Sequence, residues 1–216
     1  MTQRREAGRR EDLIEAATAI VRDSGFGAAS VKAVTARAGM SAGLLYSYAD
    51  GLDDLLAEVF RRCAGAEMAA VDQAIAAVDA SDATGRLLAL IETFATRALR
   101  GGRLAWALLV EPVGRAIDEE RLAYRRGYAD IATEIVTQGV RDGEFAVQDA
   151  RISAAGIVGA IGEALAGPLA PVTTDDDDPD AIVAAITGLC LRAVGARSAS
   201  DRASGPTSDD VSEEGS

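Results

Sequence analysis

Groups able to meet a polyanion crowd into one short stretch of the sequence, residues 30–48. A short helix starting at Ser30 carries Val31, Val34 and Ala38; a turn on Ala38-Gly39-Met40-Ser41 follows, then a second short helix from Ala42 to about Tyr48. This spacing makes a helix-turn-helix. Ser30 and Ser41 offer N-cap oxygens, and Gly39 supplies a backbone conformation that a side chain would oppose. Met40 and Leu45 are placed to plug the angle between the two helices, which leaves Ser41, Gly43, Leu44, Ser47 and Tyr48 on the outer face of the second. Small and hydroxylated groups of this kind fit a major groove and donate to phosphates or base edges. Lys32 and Arg37, on the helix before the turn, are positioned either to meet phosphate or to stay solvated. On spacing alone, a DNA reader and an ordinary helical bundle with a glycine joint remain equally open.

Elsewhere the chemical inventory is thin. There is no histidine, one lysine (Lys32) and two cysteines, Cys63 and Cys190. His-based triads, His general bases and His-ligated metals are therefore excluded. A carboxylate pair such as Glu111 with Glu163 is the remaining acid–base option, and no motif surrounds it. The sequence thus reads as a non-enzyme with no cofactor and no metal site. The cysteines lie far apart within apolar helical patterns, as buried reduced thiols of a cytoplasmic protein would.

The net charge of −12 looks wrong for a DNA binder until it is located. Residues 1–49 hold seven basic and five acidic groups, whereas residues 172–216 hold three basic and ten acidic ones. Acidity is exported from the N-terminal part, as expected where only that part approaches phosphates. No apolar run approaches the ~20 residues that a bilayer requires, so no membrane partner is expected. Met1–Arg10 is basic and polar without a hydrophobic stretch behind it, unlike a secretory signal.

These residues must be positioned by helices. Strand alternation is nearly absent, and helical periodicity runs throughout. Leu13, Ala17 and Ile20/Val21 mark a first helix that stops at Ser24-Gly25. After Asp50-Gly51 a long helix carries Leu55, Leu56, Val59, Phe60 and Cys63. Further helices are expected near 83–100, 102–110, 118–141, 149–166 and 180–194. The expected fold is all-α with about nine helices. Its divisions are a helix-turn-helix head with a basic N-terminal arm (1–50), a helical body (51–197), to which the family resemblance given next assigns ligand binding and dimerisation, and a disordered acidic tail (198–216).

The run Leu13-Ile14-Glu15-Ala16-Ala17, then Gly25-Phe26, Ser30-Val31, Ala38-Gly39-Met40-Ser41, Gly43 and Leu45-Tyr46 resembles the signature of TetR-family transcriptional regulators over roughly residues 9–60. The resemblance implies a ligand-responsive repressor that binds a palindromic double-stranded DNA operator as a homodimer and is released by a small-molecule effector of unknown identity. It places Ser30, Ser41, Gly43, Tyr46, Ser47 and Tyr48 at DNA-contacting positions, with Tyr46 on phosphate. The alternative for Tyr46 is a core residue bracing the long helix. One departure stands out: Leu52 occupies the place where the family often has a phosphate-holding lysine, and Asp50, Asp53 and Asp54 surround it. The arm arginines Arg4, Arg5, Arg9 and Arg10 are the expected replacement. A helical ligand-binding or adaptor protein with weakened DNA binding is the alternative reading.

The penultimate helix is rich in small residues (Ala154, Ala155, Gly156, Gly159, Gly162, Ala166), which suggests close passage of another backbone. Packing within the chain explains this as well as an interface does; the resemblance favours a four-helix subunit interface with the last helix (Ile182, Val183, Ile186, Leu189, Cys190). That would set two recognition helices ~34 Å apart. Phe94, Arg97, Trp106, Leu109, Glu111, Tyr124, Tyr128 and Glu163 are the expected ligand-pocket residues, with core filling the competing role.

Overall fold

A computed structural model describes residues 2–171 and 178–196, with side chains from residue 7 onward. The described residues form an all-helical chain without strands: α1 (Thr2–Ser24), α2 (Val31–Arg37), α3 (Ala42–Tyr48), α4 (Leu52–Ala76), α5 (Ala83–Gly101), α6 (Arg103–Leu109), α7 (Arg115–Arg141), α8 (Ala150–Ala166) and α9 (Pro179–Ala193). A 3-10 turn, Phe26–Ala28, joins α1 to α2. Helix positions follow the apolar periodicity closely; α7 begins at Arg115, nearly a turn ahead of the expected Asp118.

The larger difference lies at the N-terminus. The basic run expected as an arm is the first part of α1, which already includes Thr2. Arginine and glutamate are good helix formers, and Gly8 alone opposes them, so the backbone ladder continues through this run. The expected tail, 198–216, lies outside the described residues.

Two apolar clusters form the interior. In the first, Leu13, Ala17 and Val21 of α1 meet Phe26, Val34 and Leu45, the first half of α4 (Leu55, Val59, Phe60), Ala107 and Leu108 of α6 and Ile117 of α7. In the second, Val71 and Ile75 of α4 meet Leu87 and Ile91 of α5, Ile135 of α7, Ile157 and Leu165 of α8 and Ile186 and Cys190 of α9. Burying each large aliphatic side chain contributes ~1.5–3 kcal/mol. Helix α4 passes through both clusters, so head and body share one rigid strut.

Charges reinforce that strut. Arg62 of α4 pairs with Glu11 of α1 and with Glu58, while Arg61 pairs with Glu58 and, at 2.6 Å, with Glu120 of α7. The Arg61 and Arg62 guanidiniums hold the Glu58 carboxyl below its usual range, and Arg62 does the same for Glu11.

Cys190 is buried, Cys63 is half-buried, and neither is in a disulfide. Burial pushes both thiols up. On α8, a Cβ at Gly156 or Gly159 would meet nothing among the described residues within 4 Å, so packing among those residues does not account for these glycines. On α9, Ile186 and Cys190 face the chain's own interior rather than an outer surface, while Leu189 is 46% exposed.

Candidate DNA-binding head and effector cavity

Helix α2 closes with a left-handed glycine. Gly39 has φ 65°, its N–H donates to the Ala36 carbonyl at 3.2 Å, and the Met40 N–H reaches back to Thr35 at 2.8 Å. This paired pattern ends the helix sharply and turns the chain into α3. Leu45 is fully buried beneath α3 and Met40 is half-buried against the same cluster, as the spacing predicts.

The outer face of α3 then follows. Ser41, Gly43, Leu44, Tyr46 and Ser47 are exposed, and Tyr46 is 66% exposed, which excludes a core role. Tyr48 differs: it is half-buried and packs against the head's apolar cluster. Ser30 accepts the Ala33 N–H at 3.2 Å, leaving its hydroxyl proton free to donate outward. Ser41 makes no capping bond with its side chain. Lys32 is exposed, and Arg37 lies 3.5 Å from Asp23 with both side chains about half exposed. Such a pair contributes at most ~1 kcal/mol and is readily exchanged for a phosphate.

Leu52 is half-buried against the head cluster, which explains the departure from a lysine: its side chain fills core. Asp53 and Asp54 lie in the first turn of α4, where the positive helix end favours carboxylates. Arg9 and Arg10, one helix away, are half-exposed on α1.

In the body, α4 through α8 enclose a cavity of about 100 Å³. Phe94, Arg97, Leu109, Tyr124 and Tyr128 line it as expected, with Phe60, Val71, Leu104 and Leu108 completing an apolar wall. Phe94 and Tyr128 meet edge to face at 5.1 Å. The Tyr124 hydroxyl donates to the Arg61 carbonyl at 2.9 Å and so braces α4 against α7. Arg97 pairs with Glu67.

Three expected pocket residues lie elsewhere. Glu163 is exposed, on the helical face of α8 that carries Gly156 and Gly159. Trp106 lies beneath the Arg103 guanidinium, 5.0 Å from the ring centroid, and Arg103 in turn donates to the Ser24 carbonyl at 2.9 Å. Glu111 is turned away from the cavity altogether. Its carboxylate accepts the Phe26 N–H at 2.9 Å and the Gly27 N–H at 3.0 Å. Gly25, at φ 85°, makes room, since a Cβ there would lie 2.6 Å from Glu111 Oε2. The physical reason is a buried carboxylate that finds two free backbone donors at the end of α1.

Arg121, which the sequence does not single out, holds this arrangement from below. It lines the cavity and donates to the carbonyls of Leu108 (2.8 Å), Ala107 (3.2 Å) and Glu111 (2.9 Å). Burial pushes its guanidinium below the usual arginine range. Helix α6 therefore grips the joint after α1 twice, through Arg103 at its start and Glu111 just beyond its end, while its inner face walls the cavity. No local signal predicts the Glu111 contact, because its partners are 85 and 84 residues away.

A three-helix head with an exposed outer face on α3 is carried on a helical body with an internal cavity. Residues 13–59 match the family of bacterial regulatory proteins, tetR family. The match covers the head and the first part of α4, and over these residues the chain is similar to the tetR family of regulators. Solved structures share the fold over most of the chain. FadR from Bacillus subtilis, in complex with stearoyl-CoA, is 20% identical with a TM-score of 0.71, covering 85% of this chain and 98% of its own. A transcriptional regulator from Pseudomonas aeruginosa PAO1 is 27% identical with a TM-score of 0.64, covering 90% of each chain. AibR, in complex with isovaleryl coenzyme A and operator DNA, is 16% identical with a TM-score of 0.65, covering 84% of this chain and 97% of its own. No curated protein matches the chain in sequence. Among the described residues, no helix is long and apolar enough to cross a membrane, and no cluster of side chains suits a metal ion.

Proposed function

We propose that the chain is a repressor that binds a palindromic operator as a homodimer and is released when a small molecule enters the cavity. The observation that carries this reading is the double hold of α6 on the head. Leu104, Ala105, Leu108 and Leu109 wall the cavity, and the same short helix is fixed to Ser24, Phe26 and Gly27 through Arg103 and Glu111. A ligand that needs more room pushes α6, and α6 takes the head with it. Release requires that the ligand bind the DNA-incompetent arrangement more tightly than the competent one.

Two further features support the reading. Ile152 (72% exposed), Ala155, Gly156 and Gly159 of α8, with Leu189 of α9, make an exposed apolar and small-residue surface suited to a second subunit. FadR and AibR, which share the fold, hold acyl-coenzyme A ligands. DNA contacts are assigned to Ser30, Ser41, Gly43, Leu44, Tyr46, Ser47 and the outer edge of Tyr48, with Lys32, Arg37 and the α1 arginines neutralising phosphate. Genomic footprinting followed by a gel shift of the purified protein tests this. Saturable binding of a dimer to a palindrome is expected. Absence of any specific site would leave a helical ligand-binding or adaptor protein instead.

A further inference from the structure

The strongest unassigned feature is the Tyr128 hydroxyl. Tyr128 is 8% exposed and lines the cavity, yet its Oη has no hydrogen-bond partner among the described residues. Native structures rarely leave a buried hydroxyl unpaired, so one here marks the place of a missing partner. Burial, with Glu67 and Asp72 nearby, pushes the phenol well above its usual range, so it stays protonated and offers a donor. The missing partner is an acceptor.

The charge of the lining gives the second constraint. It holds three guanidiniums (Arg97, Arg121, Arg125) against one carboxylate, Glu67, in a chain whose net charge is −12. Arg97 is matched by Glu67, and Arg121 is spent on the carbonyls at the end of α6. Arg125 is exposed at the rim and has no ion pair among the described residues. It reaches over α8 at Gly162, where even an added Cβ would lie 3.9 Å from its Nη2. An apolar slot with a buried donor inside and an uncommitted cation at its mouth has a definite complement.

We infer that the effector is an anionic amphiphile, with its hydrocarbon body against Phe60, Val71, Phe94 and Leu108, an oxygen accepting from Tyr128, and its negative end at Arg125. This deepens the ligand-responsive reading and rests on it. A carboxylic acid and an acyl thioester of a phosphorylated carrier share this chemistry, and they differ in where the negative charge lies.

Calorimetric titration of the full chain with octanoate, octanoyl-coenzyme A, 1-octanol and octylamine tests the assignment. At least one of the two anions is expected to bind roughly tenfold or more tightly than the alcohol, with the amine weakest. Binding of octanoate identifies a free acid as sufficient; binding of the thioester alone assigns the anion to its phosphates. Arg125→Ala is expected to erase the advantage over octanol. Tyr128→Phe is expected to weaken the anion roughly tenfold without lowering the melting temperature of the free protein, since the lost hydroxyl has no partner there. Equal binding of the alcohol or amine, no binding of either anion, or a Tyr128→Phe variant that keeps full affinity or melts lower would each overturn the inference. Operator binding is measured without ligand, so its failure is a separate result. An operator complex released only by an uncharged molecule would keep the regulator and remove the amphiphile.

Discussion

Replacing Glu111 by alanine strips the head of its firmest polar tie to the body. The variant loses two hydrogen bonds to a carboxylate, at 2.9 and 3.0 Å, and leaves the Phe26 and Gly27 N–H groups facing a void. Bonds of this charged kind contribute about 1.5–3 kcal/mol each, and removing both with one substitution is less than additive, so ~3 kcal/mol is expected. In a chain of this size that lowers the melting temperature by roughly 6–12 °C. Glu111→Gln should fall between, since one amide oxygen satisfies one donor while its NH2 confronts the other. Thermal denaturation measures the loss, and hydrogen exchange at Phe26 and Gly27 locates it. Because Glu111 does not line the cavity, ligand affinity should hold while the ligand's effect on operator binding shrinks. A Glu111→Ala protein that melts within roughly 2 °C of the parent, with both amides still protected, would refute the argument.

Other substitutions separate head, joint and body. Gly25→Ala should destabilise as much as Glu111→Ala, because its methyl would lie 2.6 Å from the carboxylate and its φ of 85° resists a side chain; a normal melting curve would contradict this. Tyr46→Ala should leave the melting temperature unchanged, Tyr46 being 66% exposed, while weakening the operator complex roughly tenfold by gel shift. Replacing Arg9 and Arg10 by alanine should flatten the salt dependence of operator binding by about one unit of slope per lost phosphate contact; an unchanged slope removes them from the interface. At Gly159 an added Cβ meets nothing within 4 Å among the described residues, so Gly159→Leu should preserve helicity and shift light-scattering mass from dimer to monomer. Finally, Glu11 and Glu58 have folded pKa values held below 4.5 by Arg62 and Arg61. Their contribution to stability is therefore complete above 4.5 and is lost as pH falls through the lower folded values; Arg62→Ala should reduce that acid sensitivity in pH-dependent melts.

Much of this was legible in the sequence because it is encoded locally. Apolar spacing of 3.6 residues set the helices, and Gly39 with Met40 set the turn between α2 and α3. Leu45 was identifiable as the plug beneath α3 because one residue on a seven-residue helix must face the core. The exposed row from Ser41 to Ser47 followed from the same periodicity. Sequence order could not decide between Tyr46 and Tyr48 as the outward tyrosine, because that depends on how α3 leans on α4. Nor could it reveal that the basic N-terminal run continues as helix α1.

Glu111 shows the limit most sharply. As a carboxylate among aromatic middle helices it read as a pocket residue, and Trp106 and Glu163 read the same way. Tertiary structure turned Glu111 toward a Gly-Phe-Gly backbone at the far end of the chain, placed Trp106 under Arg103, and left Glu163 on the outer face of α8. Arg121 and Arg125 carried no local signal either, since their roles depend on carbonyls and a cavity assembled from five helices. The sequence by itself determined the helices, the reading head and its exposed hydroxyls, because periodicity and turn chemistry act over a few residues. Only the folded chain decided which charges meet, because a buried carboxylate pairs with whatever donors the packing brings within 3 Å.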